Sequence, residues 1–366
     1  MKRVLIIPAL TAGGAERVMS IMVNAWVAAG ETVTLLTLDD GRDPPFFELD
    51  RRVRHRALGL QADSAHLLDA VRHNLRRVRV LRQALREEAP AIAISFLDST
   101  NVLTLLASRG LNLPVIVAEH IDPARYHTKP AWVALRHWLY PHADRVVVLT
   151  ERALDYFPRS LHARCRVLPN PVPVPRVPAD VSARRPLRRL MAMGRLVEQK
   201  GFDLLLAAFA LLHADFPDWM LTVLGEGPER SALEDQAERL GIAARIEWRG
   251  NVKQPEFCLA EADLFVLPSR YEGFPMALCE AMAMGLPVVA ADCPTGPREI
   301  IRHEVDGLLV AAENPEALAE GLRRLMASPT ERQRLGAAAC SILDRYGVER
   351  VMAMWEALLA GLPSRF

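Results

Sequence analysis

The chain has 366 residues, 51% of them hydrophobic and 24% charged, with a formal net charge of +1. That length holds two domains of ordinary size, each able to bury its own core, and the composition excludes a disordered chain. No apolar run reaches the ~18 residues a membrane helix needs, and five cysteines without a C-x-x-C pair exclude a disulfide framework or zinc site.

In chain order, short β-branched runs alternate with helical periodicity. The opening M-K-R-V-L-I-I-P-A-L runs straight into G-G-A-E-R without a cleavage site, so it reads as a first strand in a cytoplasmic protein. The pattern predicts strands at Val4 to Leu10, Thr32 to Leu38, Ala91 to Phe96, Pro114 to Glu119 and Arg145 to Leu149, with helices near 15–29, 64–88, 99–109 and 130–141. This alternation is that of a parallel sheet covered by helices on both faces. It stops at P-N-P-V-P-V-P-R-V-P, within 169–189, where alternate prolines forbid helix and sheet interior alike.

Beyond that linker the alternation resumes. Strands are expected at Arg188 to Met193, Met220 to Leu224, Arg245 to Trp248, Asp263 to Leu267, Pro287 to Ala290 and Leu308 to Val310. Helices are expected near 201–213, 229–240, 255–262, 276–285 and 315–327, and a last one from Val348 to Leu362. The expected domains are 1–178, 179–345 and a C-terminal segment 346–366 that crosses back to the first. The fold class is α/β, two Rossmann-like doubly wound domains facing across a cleft, with ligands at the carboxyl ends of the strands.

Charge is unevenly spread, +6 over residues 1–180 and −5 over the remainder. Ten arginines between residues 51 and 86 face only Asp63 and Asp69, which predicts a strongly positive face. Cys258, Cys279 and Cys293 fall among apolar residues and read as reduced core thiols. The histidines form no H-x-x-x-H or H-E-x-x-H pair, so no protein-bound metal is expected.

Two segments carry the chemistry. In M-G-R-L-V-E-Q-K-G-F-D, residues 193–203, a strand gives way to a glycine turn with Arg195 and Lys200, and Gly201 opens a helix. Two cations beside a helix N-terminus suit a phosphate or diphosphate, although an isolated R-x-x-x-x-K also fits a solvated loop. In R-Y-E-G-F-P-M-A-L-C-E, residues 270–280, Glu272 and Glu280 border the most apolar stretch of the chain. A buried carboxylate needs a partner. Beside an anion site, two carboxylates accept hydrogen bonds from hydroxyl groups attached to the anion, a combination that describes a sugar nucleotide.

E-G-F-P-M-A-L-C-E resembles the E-x7-E motif of the retaining glycosyltransferases of family 4, which have the GT-B architecture. G-R-L-V-E-Q-K-G (194–201), P-N-P-V (169–172) and G-G-A-E-R (13–17) match further segments of that family in the expected order. With G-E-G-P-E-R and D-C-P-T-G-P-R-E-I, the chain resembles bacterial enzymes that build lipid-linked oligosaccharides, O-antigen or capsule, several of them transferring N-acetylgalactosamine.

The resemblance implies that Arg195 and Lys200 clamp the donor diphosphate, Glu280 binds the ribose and Glu272 contacts sugar hydroxyls. It implies that the amides of Phe274, Met276 and Ala277, with Gly273, touch phosphate or sugar, and that Gly13 and Gly14 let the first loop come close. His120 matches a family histidine that approaches the donor sugar, though a histidine at a strand end is commonly structural. Val252 lies where the family seats the base, uracil being preferred to guanine. Thr295 either shapes the sugar pocket or belongs to a proline-glycine turn before a short helix, with Glu299 as a cap or surface charge.

No D-x-D occurs, which agrees with an enzyme that needs no metal or other cofactor, its cations and helix dipole acting at the leaving diphosphate. The basic helix at 66–86 places Leu68, Val71, Leu75, Val78 and Leu85 on one stripe and Arg72, Arg76, Arg79 and Arg86 largely on another. Either it is a core helix with a solvated face, or it attracts an anionic membrane surface or a pyrophosphate-linked acceptor. Nucleic acid is not expected, because no interleaved aromatics or binding module accompany the charge.

The expected function is transfer of a hexose or N-acetylhexosamine, GalNAc-like by resemblance, from a nucleoside-diphosphate sugar to a lipid-linked or oligosaccharide acceptor, peripherally on the inner face of the cell membrane. Alternatives are a nucleotide-sugar 2-epimerase on the same fold, a non-catalytic membrane-associated scaffold, or a retaining glycosidase, which would have no need of a phosphate clamp. A dinucleotide oxidoreductase would want G-x-G-x-x-G, which G-G-A-E-R does not match.

Overall fold

The computed structural model describes residues 1–60, 67–122, 124–125, 129–180 and 187–362. Expected helix residues 64–66, linker residues 181–186, C-terminal residues 363–366 and the side chain of Leu68 lie outside that description. The chain forms two units, residues 1–171 with the chain from Val351 onward, and Val172–Arg350.

The first unit is built on strands β1 (Lys2–Ile7), β2 (Thr32–Thr37), β3 (Arg54–Ala57), β4 (Ile92–Phe96), β5 (Val115–Ala118), β6 (Arg145–Val148) and β7 (Cys165–Val167). They pair in parallel in the order β3-β2-β1-β4-β5-β6-β7. The second unit holds β8 (Arg188–Met193), β9 (Trp219–Leu224), β10 (Ile246–Gly250), β11 (Leu264–Leu267), β12 (Val288–Ala291) and β13 (Leu308–Val310), also parallel, in the order β10-β9-β8-β11-β12-β13. Parallel strands are covered on both faces, so they read as continuous apolar runs. Val4 to Ile7 are wholly buried for that reason. Each order reverses once, between β1 and β4 and between β8 and β11, and doubly wound sheets bind ligands beyond the strand ends at such points.

Two strands escape a reading by hydrophobic pattern. β3 is R-H-R-A, an edge strand whose outer residues are charged, and β7 is only Cys165–Val167. The helices Pro329–Ala339 and Ile342–Tyr346 were also not anticipated, whereas Pro297–Ile300 is the short helix expected after the turn at Thr295. The expectation of a strongly positive face is corrected in part. Arg52 pairs with Asp50, Arg54 and Lys2 with the buried Glu88, and Arg56 with Glu87. Arg82 donates to the carbonyls of Ala107 and Arg109, and Arg77 to that of Leu60.

The expected apolar stripe of the basic helix, Leu67–Glu88, is also corrected. Leu81, Ala84 and Leu85 face the core, but Val71 is 56% exposed and Leu75 52%. At 100° per residue these two share the outer face with Arg72, Arg76 and Arg79, all exposed, so that face is mixed apolar and cationic.

The helix Val348–Ala360 buries Val351, Met352, Trp355, Leu358 and Leu359. Trp355 meets Trp26 edge to face at 6.1 Å. Arg3, 2% exposed, donates to both oxygens of Glu356 at 2.5 and 2.9 Å and lies 4.8 Å above the Trp26 ring, whose Nε1 also donates to Glu356. Glu356→Ala leaves Arg3 buried with only Glu31 at 3.3 Å. We expect a loss of about 2 kcal/mol, between the values for exposed and buried ion pairs. Glu356→Gln, which keeps an acceptor, should cost less in denaturant unfolding followed by tryptophan fluorescence; equal costs for both variants would show that the charge is immaterial.

Candidate active site

Because every strand of the second sheet runs the same way, the loops that follow β8, β9, β10, β11 and β12 all leave one edge. The loop after β8 turns at Gly194 and carries Arg195 and Lys200 to Gly201, the left-handed cap (φ 63°) of helix Phe202–Ala210. A Cβ at Gly201 would come 2.2 Å from the Pro268 carbonyl oxygen. Only glycine therefore lets this loop press against the loop that follows β11.

Across that contact the two loops are joined by hydrogen bonds. Arg270 donates to both carboxylate oxygens of Asp203 at 2.7 Å and to the Glu198 carbonyl at 2.8 Å, and Gln199 donates to the Tyr271 carbonyl at 2.9 Å. Burial pushes the Asp203 carboxyl up, but the Arg270 guanidinium outweighs it and holds the group below the usual range. Lys200 Nζ donates to Glu272 Oε1 and Oε2 at 2.7 and 2.9 Å, and the Ser269 hydroxyl donates to Oε1 at 2.7 Å. The Lys200 side chain is 24% exposed and that of Glu272 5%. The partner Glu272 requires is thus the lysine expected at the diphosphate.

This pairing leaves capacity on both sides. An ammonium has three donors and a carboxylate about four lone-pair sites. Two of the donors and three of the acceptor sites are used, so one of each remains. Arg195 is exposed, and its side chain has no partner among the described residues.

Thr295 is buried, and its hydroxyl donates to the Glu272 carbonyl, so it holds the E-G-F-P loop in place. Gly296 (φ 88°) packs there too: a Cβ would meet Pro275 Cδ at 2.8 Å and the Gly273 carbonyl at 3.3 Å. Phe274 is buried edge to face against Tyr346 at 5.3 Å. Helix Met276–Ala283 starts with Pro275 as its cap and no side chain on its first amides, those of Met276 and Ala277 among them. Glu280 lies one turn in and is half-buried, as is Val252 in the loop after β10. Burial and the nearby Glu272 push the Cys293 thiol up to about 12, and Cys279 is likewise raised, so neither is a nucleophile.

In the first unit, Gly13 caps helix Gly14–Ala28 in extended conformation. The Glu16 carboxylate folds over it, 2.1 Å from where a Cβ would stand, whereas Gly14 faces open space. His120 follows β5 with its ring against Phe96, centroids 3.9 Å apart. Both ring nitrogens are shielded from solvent without a hydrogen-bond partner, and burial lowers the group to about 3, so the ring is neutral. Orphaned buried polar atoms are costly and uncommon away from functional sites. Behind it, Tyr140 donates to Glu119, Asn101 donates to Tyr140 and to the Ala118 carbonyl, and Ser95 donates to Asn101.

Pattern reading missed Ser269, Arg270, Gln199 and Asp203. All four stand within three residues of motif positions, but spacing alone does not say that a charged residue faces the neighbouring loop.

Two Rossmann-like units with cations and carboxylates at the switch-point loops of the second define the GT-B glycosyltransferase class. The family described as Glycosyl transferases group 1 matches residues 182–341, and that described as Glycosyl transferase 4-like domain matches residues 13–171. The chain belongs to these glycosyltransferases. It is 28% identical, over 98% of each chain, to the Campylobacter jejuni alpha-1,4-N-acetyl-D-galactosaminyltransferase whose name gives a diNAcBac-PP-undecaprenol-linked acceptor. It is 28% identical to the amylovoran biosynthesis glycosyltransferase AmsD of Erwinia amylovora, over 95% of this chain and 96% of the relative. Among solved structures, Anabaena HepE in complex with UDP and glucose superposes with a TM-score of 0.82 at 18% identity, over 99% of this chain and 100% of that one.

The His120 environment sets a pH dependence. Its folded value of about 3 lies below the ~6.5 of an unfolded histidine, so its contribution to stability is complete above pH ~6.5 and is lost as pH falls toward 3. His120→Gln removes this term. The stability difference between variant and wild type should shift in the variant's favour by about 1 kcal/mol per pH unit between pH 6.5 and 4.5. A difference that does not change with pH would show that the histidine charges freely in the folded protein.

Proposed function

We propose that this glycosyltransferase moves a hexose or N-acetylhexosamine, GalNAc-like in kind, from a UDP-sugar to a hydroxyl of a lipid-linked or growing cell-surface oligosaccharide, with retention at the anomeric carbon. The observation that carries the reading is the Lys200–Glu272 pair at the switch point, with an unpartnered Arg195 on the same loop. Arg195, the free donor of Lys200 and the amides at the start of helix Met276–Ala283 take the charge that builds on the departing diphosphate, which is the main catalytic term. Glu272 accepts from a sugar hydroxyl on its remaining lone pair, and Glu280 from the ribose. The neutral His120 ring has one donor and one acceptor to offer a sugar. Among the described residues of the motifs no protein nucleophile is evident, so the donor phosphate takes the acceptor proton as the glycosyl bond breaks. No metal or other cofactor enters this scheme.

The relatives support the finer parts of this reading: one is an N-acetylgalactosaminyltransferase with an undecaprenol-linked acceptor, another serves amylovoran biosynthesis, and HepE holds UDP. A lipid-linked acceptor of that kind would be met at a cytoplasmic membrane face. Among the described residues no helix is long and apolar enough to cross a membrane. The exposed Val71 and Leu75 amid unpartnered Arg72, Arg76 and Arg79 suit an anionic surface, at about 1 kcal/mol per charge.

A panel of UDP- and GDP-sugars, screened by thermal shift and then for transfer onto polyprenyl-pyrophosphate acceptors, should single out a UDP-N-acetylhexosamine, with an α-linked product by NMR. Inversion at C2 of the donor without acceptor would instead identify an epimerase. Arg195→Ala and Lys200→Ala should each lower kcat by about 100-fold or more; near-normal turnover in either removes that residue from the clamp. Charge reversal at Arg72, Arg76 and Arg79 together should abolish flotation with anionic vesicles while transfer to a soluble short-chain acceptor persists. Undiminished flotation would contradict the membrane surface.

A further inference from the structure

Away from the loops just described, the first unit holds a cavity of about 120 Å3 between helix Pro130–Leu139 and the segment 157–164. Its lining runs from buried Arg136, Tyr140 and Phe157 to exposed His137, Ser160 and Arg164. No carboxylate lines it. Two arginines, one buried and one exposed, therefore face a small space with no opposite charge in its wall.

Arg136 makes this arrangement unusual. It is 4% exposed, its Nε is buried without a partner, and its guanidinium lies 4.8 Å above the Tyr156 ring, whose hydroxyl is hydrogen-bonded to Nη2. Its one carboxylate neighbour, Glu119, is 3.9 Å away, beyond hydrogen-bond reach. Burial pushes Glu119 up to about 7, so near neutrality this acid supplies only part of a counter-charge. A buried arginine so weakly compensated favours an anion. Arg164 uses one Nη1–H on the Ala143 carbonyl and keeps the rest of its fork.

We propose that this cavity binds a phosphate group, held by Arg136 and Arg164 with the Ser160 hydroxyl, as a site of its own on the first unit. Guanidinium forks match phosphate oxygens in two-point contacts, and 120 Å3 is about four times the space a water takes up in the liquid. Tyr140 and Phe157, stacked at 6.0 Å, form an apolar wall for whatever the phosphate carries. The group is either free phosphate or the headgroup of a phosphate-bearing lipid. Because Arg136 also neighbours Glu119, the residue before His120, occupancy bears on the strand end where the histidine sits.

The test is phosphate binding by the full chain carrying Arg195→Ala, which weakens the donor clamp but leaves Lys200 on the buried Glu272, measured by equilibrium dialysis with inorganic phosphate and with short-chain phosphatidic acid. One phosphate per chain should remain bound. Arg164→Ala and Ser160→Asp, both at exposed positions, should each weaken it by roughly tenfold or more. Binding of inorganic phosphate assigns a free anion, and binding of phosphatidic acid alone assigns a lipid headgroup. No binding of either, or equal binding with Arg164→Ala and Ser160→Asp in place, overturns the site.

Discussion

Lys200 and Glu272 meet where the second sheet reverses its strand order, and the architecture of that edge follows from the meeting. A carboxylate 5% exposed is tolerable only with a cation in contact, and the cation sits on a different loop, after a different strand. The two loops must therefore be held in register to within a few tenths of an ångström. Gly201 against Pro268, Arg270 on Asp203 and Gln199 on the Tyr271 carbonyl perform that alignment from three sides. Thr295, from the loop after β12, fixes the Glu272 backbone from the fourth. The charged groups are thus set before any ligand arrives, which is the condition under which fixed dipoles and charges lower a barrier most.

Much of this was legible in the sequence. Continuous apolar runs marked most of the central strands, since burial on both faces leaves no polar alternation. The glycines and charges of G-R-L-V-E-Q-K-G and E-G-F-P-M-A-L-C-E marked the loops at the reversal. What the sequence could not show was pairing. Glu272 reads as an acceptor for hydroxyls and also has Lys200 as its contact; Thr295, read as shaping a sugar pocket or as part of a turn, has its hydroxyl on a backbone carbonyl. Such contacts depend on a register between segments 72 residues apart in one case and 23 in the other, which no local pattern encodes. β3 was missed because an edge strand needs only one apolar face, and here its arginines meet Glu87 and Glu88 at the end of the following helix. The outward turn of Val71 and Leu75 was missed because periodicity defines a stripe without saying which stripe faces the core.

The first unit handles its polar groups differently. At the end of β5 two successive residues take opposite sides: Glu119 enters a chain of hydroxyl and amide hydrogen bonds, while His120 lies against Phe96 with neither nitrogen engaged. Both residues stand just past the end of β5, where the chain leaves the sheet. One side chain is committed to anchoring the backbone, which leaves the other free to serve as a neutral hydrogen-bonding group. Burial that would trap an ion is harmless to an uncharged imidazole, whose donor and acceptor persist across the ordinary pH range.

The ties among Arg3, Trp26, Trp355 and Glu356 have a temporal side. The residues that complete the first unit, from Val351 onward, are translated only after the whole of Val172–Arg350 has been made. Until then Arg3 lacks Glu356 and Trp26 lacks its aromatic neighbour, so the N-terminal sheet must wait with an exposed apolar seam while the second unit, contiguous in sequence, is free to fold. Completion of the first unit therefore depends on residues made last. Interruption of translation before residue 351 would release a complete second unit joined to an unfinished first one, a species for which chaperones and proteases would compete.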